Sequence, residues 1–202
     1  MKIVSYQIFM IFFTYLLPMN CKTVNTTAAL SSSKNEFQTI CINPEKLSQK
    51  NDLEVLKALL KVSDCEKLSE GLAQIQSLSI DDKNFQSLDL LRISKNLRTL
   101  SLRNNQITNI FPLSSLTSLK ELNLENNKIK DLSGLSQLTH LEQLYLGHNR
   151  IELLNELSGL EGLFILNLAF NDIKDISPLE KLHKLKVIEI RENPITRSSK
   201  EN

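Results

Sequence analysis

From Leu97 onward, apolar residues recur on a fixed beat of 22 residues. In the block 119–140 they are Leu119, Leu122, Leu124, Ile129, Leu132, Leu135 and Leu138, at positions 1, 4, 6, 11, 14, 17 and 20. Asn127 stands at position 9. The blocks 97–118, 141–162 and 163–184 repeat this pattern, 75–96 is a degenerate copy, and 185–196 is a truncated one. Positions 4 and 6 alternate with polar residues, which is strand period, so each copy predicts one short strand. Positions 11, 14, 17 and 20 are spaced by three, which suits a 3₁₀ or irregular turn. Pro112 and Pro178, both at position 16, break any longer α-helix there. One copy cannot bury its own leucines, but stacked copies share a continuous core and place their strands in one parallel sheet. The asparagines Asn105, Asn127, Asn149, Asn171 and Asn193 fall where each strand turns, so they are expected to satisfy backbone groups of their own and the next turn.

The flanks read differently. Residues 40–74 predict a helical N-terminal cap. Asn51 with Glu54 has capping-box spacing, and Leu53, Leu56 and Leu60 share one helix face, with Val55, Leu59 and Val62 beside them. A second short helix is expected to start at Ser63 or Asp64. Residues 22–39 are rich in Ser, Thr, Asn and Lys and read as a flexible tether, and 197–202 as a C-terminal tail. Residues 1–21 carry Lys2 as their one charge, followed by the apolar run Ile8–Leu17. This is signal-peptide patterning, and it is shorter than the ~20 apolar residues of a membrane span. Leu17-Pro18-Met19-Asn20-Cys21 is similar to a bacterial lipoprotein processing site, which makes Cys21 a lipidation candidate and, if acylated, a lipid anchor to the membrane. Cleavage after Ala28 or Ala29 fits the small-residue rule instead and would free the protein. Both routes predict a secreted or cell-surface product.

Composition narrows the function classes. Lys and Arg number 24 against 23 Asp and Glu, for a net charge of +1, so no general attraction to nucleic acid is expected. With Cys21 lipidated or removed, Cys41 and Cys65 remain, and an even pair in an exported chain predicts a disulfide. Two buried thiols are the cytosolic alternative. His140, His148 and His183 stand at different repeat positions, so no metal site is expected. Neither a nucleophile elbow nor a phosphate-binding loop occurs, and neither catalysis nor a cofactor is expected.

The repeat resembles the leucine-rich repeat family. Its length and its I-x-D-I/L-x-x-L segment (Ile129–Leu135, Ile173–Leu179) are similar to the internalin and phosphatase-regulator subtype. The resemblance covers 75–196, about 60% of the chain. It departs from the pattern at Lys83, on the Asn position, and at Ser94, on position 20. The order Cys41, Leu59-Leu60, Ser63-Asp64-Cys65 is similar to the cap of some exported bacterial members. The resemblance implies an α/β solenoid: a horseshoe segment with a parallel concave sheet, a 3₁₀ or irregular convex side, and a helical cap. It also implies a non-enzymatic module that binds a partner protein, such as a host surface protein, through the concave face. An intracellular phosphatase-type regulatory subunit is the alternative; the signal run and the cysteine pair argue against it.

Strand side chains alternate, so positions 3, 5 and 7 face the open side of the sheet, with 2 and 8 at its borders. The N-terminal half of that face is small and polar. The C-terminal half gathers Tyr145, His148, Phe164, Ile165, Phe170, Val187 and Arg191, the composition of a recognition patch.

Overall fold

The computed structural model describes residues 36–44 and 47–196. The signal run, Cys21, both cleavage positions, most of the tether and the 197–202 tail lie outside the described residues.

Six three-residue strands form one parallel sheet in sequence order: β1 (Ser77–Ser79), β2 (Thr99–Ser101), β3 (Glu121–Asn123), β4 (Gln143–Tyr145), β5 (Ile165–Asn167) and β6 (Val187–Glu189). The register follows the sequence beat, with Leu78 beside Leu100, then Leu122, Leu144, Leu166 and Ile188. The central residue of β1 to β5 is buried, while its neighbours face the open side. Opposite the sheet lie 3₁₀ turns at Asp89–Ile93, Phe111–Ser115, Ser133–Leu135, Asn155–Gly159 and Ser177–Lys181. Every apolar position of the blocks 97–118, 119–140 and 141–162 is buried, which forms the continuous core that the spacing predicts.

The asparagine ladder holds successive turns together. Asn105 Oδ1 accepts from the Lys83 and Phe85 amides, and its Nδ2 donates to the carbonyls of Ile80, Leu102 and Arg103. Asn127, Asn149, Asn171 and Asn193 repeat this geometry. The bonds reach back to the preceding turn rather than on to the next, because position 9 lies beside the previous copy's turn carbonyl and its following amide. Lys83 can therefore replace the asparagine in the first copy: its amide is served by Asn105, and no earlier repeat needs its side chain. Ser94, buried at position 20, leaves its Oγ without a hydrogen-bond partner among the described residues.

The cap comprises α1 (36–42), α2 (Leu47–Leu60) and α3 (Cys65–Gln74). Cys41 and Cys65 are joined by a disulfide that ties α1 to the start of α3. Closing a loop of this size contributes roughly 3–4 kcal/mol in the chain-entropy model. Asp64 caps α3 by accepting from the Lys67 amide at 2.8 Å, at the expected boundary. That bond is the main reason its carboxyl titrates below the ordinary range.

Two expectations about the cap are corrected. Helical structure begins before residue 40, and Phe37 is buried, because Phe37 and Cys41 lie one helical turn apart on the face that meets the core. Asn51 is not a helix cap: α2 starts at Leu47, so Asn51 sits inside it and is exposed. The neighbouring Asp52 has the structural role. Its buried carboxylate accepts from the Ser87 amide at 2.8 Å and the Gln86 amide at 3.2 Å, which clamps the cap to the first repeat.

Burial is the largest influence on Asp52 and pushes its carboxyl up from the ordinary 3.8, against the pull of the Ser87 and Gln86 amides and the Asn51 side chain. A carboxyl with a raised folded-state value contributes stability below its unfolded value and loses it as pH rises through the folded one. The wild type should therefore gain on an Asp52→Asn variant as pH falls from 7 towards 4. Urea unfolding of both proteins at the two pH values checks this; a constant difference would show that the carboxyl does not sense its burial.

Candidate functional site: the open face of the sheet

The central residue of β1 to β5 points into the core, which leaves positions 3, 5, 7 and 8 to build the open face. Its floor is a polar network. Asp81 accepts from the Ser101 hydroxyl at 2.6 Å, the Ser79 hydroxyl at 3.1 Å and the Arg103 amide at 2.8 Å. Glu125 Oε1 accepts from Asn167 Nδ2 at 2.8 Å, a bond that skips one strand altogether. The skipped repeat carries Gly147 beneath it. A Cβ there would lie 3.3 Å from Asn167 Oδ1 and 3.4 Å from Glu125 Oε1, so glycine leaves room for the bridge. Arg103 Nε approaches Glu125 Oε2 at 4.0 Å.

Tyr145 lies beside this network. Its hydroxyl donates to Gln143 Oε1 at 2.9 Å. Burial, then the charges of Glu121 and Glu125, push the phenol above its ordinary range. Gln143 pairs in register with Glu121 on β3, and the Glu121 charge reaches the Tyr145 phenol.

The aromatic residues divide into two groups. At the C-terminal ends of the strands, His148 and Phe170 stack with ring centroids 4.2 Å apart and planes 11° from parallel, and the Arg191 guanidinium lies 5.4 Å from the Phe170 centroid. The repeats stack in sequence order, so His148 and Arg191 approach Phe170 from opposite sides. This row continues a ladder of position-8 side chains in which Asn104 donates to Asp82, and Asn126 to Asn104. All six position-8 residues adopt the left-handed backbone, with φ of 54° to 59°. Asp and Asn tolerate that region, whereas a bulky Phe does so at a cost of roughly 1 kcal/mol or more. At the other ends of the strands, Phe164 is 36% exposed, and Ile165 pairs in register with the exposed Val187. About 13 Å of strand separates positions 3 and 7. Six of the seven candidate residues thus form two borders, with the seventh, Tyr145, and the carboxylate network between them.

By sequence, Glu121 and Glu125 read as a solvated strand face; the bridge from Glu125 to Asn167 over Gly147 is not read there. The small residue at position 7 of two successive repeats, Gly147 and Ala169, was the available signal. Among the described residues no three His, Cys, Asp or Glu side chains converge as a metal set.

Stacked 22-residue turns, a parallel sheet in sequence order and a backbone-binding asparagine at each turn decide the architecture. The fold is a leucine-rich repeat solenoid. The family model described as leucine-rich repeats (2 copies) matches residues 95–137 and 117–160. Among solved structures, the solenoid is similar to the internalin inlF of Listeria monocytogenes, with TM-score 0.65, 30% identity, and coverage of 71% of this chain and 43% of that one. It is also similar to the internalin inlC2 of the same organism, with TM-score 0.60, 31% identity, and coverage of 72% and 66%. A leucine-rich repeat protein of Leptospira interrogans matches with TM-score 0.58, 27% identity, and coverage of 65% and 41%. The chain therefore spans less than two thirds of the length of each of these proteins. A sequence comparison with curated proteins returns no match.

Proposed function

We propose that this chain is a non-enzymatic protein-binding module, exported from the cell, that recognises a partner protein through the concave face of its leucine-rich repeat sheet. The observation that carries this reading is Phe170. A bulky aromatic is held exposed in a backbone conformation that suits Asn, where the first three repeats place Asp or Asn. Local rules are broken where function offsets the cost. The bonded cysteine pair, the signal-like run and the internalin-like solenoid support export and the 22-residue internalin-like subtype. A host surface protein as partner, and lipidation at Cys21, are the finer forms of the same reading. Six strands about 4.8 Å apart give a sheet footprint on the order of 400 Å², half of a standard interface side, so the borders must contribute.

Phe170→Asn separates binding from folding, because asparagine relieves the backbone while it removes the ring. Combined with Tyr145→Ala, it should weaken partner capture roughly thirtyfold, the effect of losing one hot spot. Phe170→Asn alone should melt no lower than wild type. Capture of the same partner at unchanged affinity, with an unchanged melt, would remove the aromatic borders from the interface.

A second reading has one observation in its favour. On the turn side, Leu153 is 67% exposed at a position where Asn109, Asp131 and Asp175 otherwise accept from the backbone of the 3₁₀ turn. It lines a surface pocket with Lys130, Arg150, Glu152 and Glu156.

A further inference from the structure

The charge of the open face differs from that of the chain. Positions 3, 5, 7 and 8 of the six repeats carry six carboxylates (Asp81, Asp82, Glu121, Glu125, Glu189 and Glu192) against two guanidiniums, Arg103 and Arg191. The whole chain has a net charge of +1. Both guanidiniums already lie beside carboxylates of the face: Arg103 approaches Glu125 at 4.0 Å, and Arg191 approaches Glu189 at 3.7 Å. The remaining four carboxylates have no cationic partner among the described residues. Asp81 and Asp82 are met only by hydroxyl, amide and backbone donors, and Glu121 and Glu192 have no hydrogen-bond partner there. Cations stand at the position-2 border, where Arg98, Lys120 and Lys186 accompany Glu142, and on the turn side, with Lys128, Arg150, Lys130 and Lys174 at positions 10 and 12. At the border, Lys120 is held by Glu142 at 2.6 Å.

One place on this face joins an unpaired charge to an aromatic ring. Glu121 is half-buried on β3, in register with Gln143, which accepts the hydroxyl of Tyr145. Diagonal neighbours of this kind on adjacent strands lie roughly 7–8 Å apart, a gap that a cationic head group fills. A guanidinium or ammonium there would meet a ring face and a carboxylate together, and partial burial strengthens both attractions.

We propose that the concave face takes a cationic segment of the partner protein, with an Arg or Lys side chain seated against Tyr145 beside Glu121. This rests on the concave-face reading above and adds the chemistry of the partner. Charge complementarity of this kind sets encounter rate and selects against acidic competitors.

The test uses the full chain and three fluorescein-labelled Gly-Ser peptides in which every third residue is Arg, Gln or Glu, followed by anisotropy at low ionic strength. The Arg peptide should bind at least tenfold more tightly than the Gln peptide, the Glu peptide should not bind, and added salt should weaken the complex. Glu121→Gln with Asp82→Asn, which keeps side-chain volume, should weaken the Arg peptide at least fivefold. Lys130→Gln with Arg150→Gln, on the turn side, should not weaken it. An Arg peptide that binds no better than the Gln peptide overturns the proposal, as does a carboxylate variant that binds like wild type. A Gln or Glu peptide retained by wild type and lost in Tyr145→Ala would overturn the cationic assignment and leave the concave-face reading standing. Unchanged peptide selectivity alongside partner capture insensitive to Phe170→Asn and Tyr145→Ala would do the reverse.

Discussion

Replacing Gly134 by alanine is expected to destabilise the solenoid by about 3 kcal/mol, the upper part of the range for overpacking a fixed site. Gly134 lies in the short turn Ser133–Leu135, where a Cβ would stand 2.1 Å from the Ile110 carbonyl oxygen and 2.5 Å from its carbon. Those atoms are backbone of the preceding repeat, so no side chain can rotate away. The two adjacent repeats would have to separate locally, at the cost of core contacts between them. Gly159 is the control: nothing lies within 4 Å of its virtual Cβ, so alanine there should change stability by less than about 0.5 kcal/mol. Urea unfolding of the two variants side by side tests this. Equal midpoints would mean that the close approach of these turns carries no energetic weight.

Asn127→Ala should cost about 3 kcal/mol or more. The Ile107 amide, wholly buried, would lose its Asn127 Oδ1 acceptor, and the carbonyls of Leu102, Leu124 and Glu125 would lose a shared donor. A buried group left unsatisfied costs about 1–3 kcal/mol, and alanine offers no replacement. For a domain of this size the thermal midpoint should fall by about 10 °C. Asn127→Asp keeps the acceptor but loses the three donated bonds, and it should fall between the two. An alanine variant that melts within a degree or two of wild type would show that water can enter the turn and take over the ladder.

The legibility of this chain follows from what a periodic pattern can encode. Leu100, Leu122 and Leu144 are buried, in register and spaced as the sequence spacing demands, because stacking forces every copy into the same environment. The start of α3 was readable to within a residue, at Ser63 or Asp64, because the Asp64 capping bond is local. Asp52 was not: its partners lie 34 and 35 residues away, and within the helix it looks like another surface acid. Phe37 was hidden by the polar composition around it, since a single large apolar residue one helical turn from Cys41 leaves little periodic signal. The open face was legible by position and not by contact. Alternation places Tyr145, Phe164 and Phe170 on it or at its borders, but only the geometry separates the His148–Phe170–Arg191 row from Phe164, Ile165 and Val187. The Glu125–Asn167 bridge spans 42 residues and one intervening strand, beyond the reach of a nearest-neighbour repeat argument.

The most direct test of the concave-face reading places a photo-crosslinking benzoyl-phenylalanine at Thr99 or Gln143 on the open face, and separately at Glu152 in the turn-side pocket, and irradiates each protein with its captured partner. The account predicts crosslinks from Thr99 and Gln143 and none from Glu152. Crosslinks from Glu152 alone would contradict it and move the interface to the turn side around Leu153.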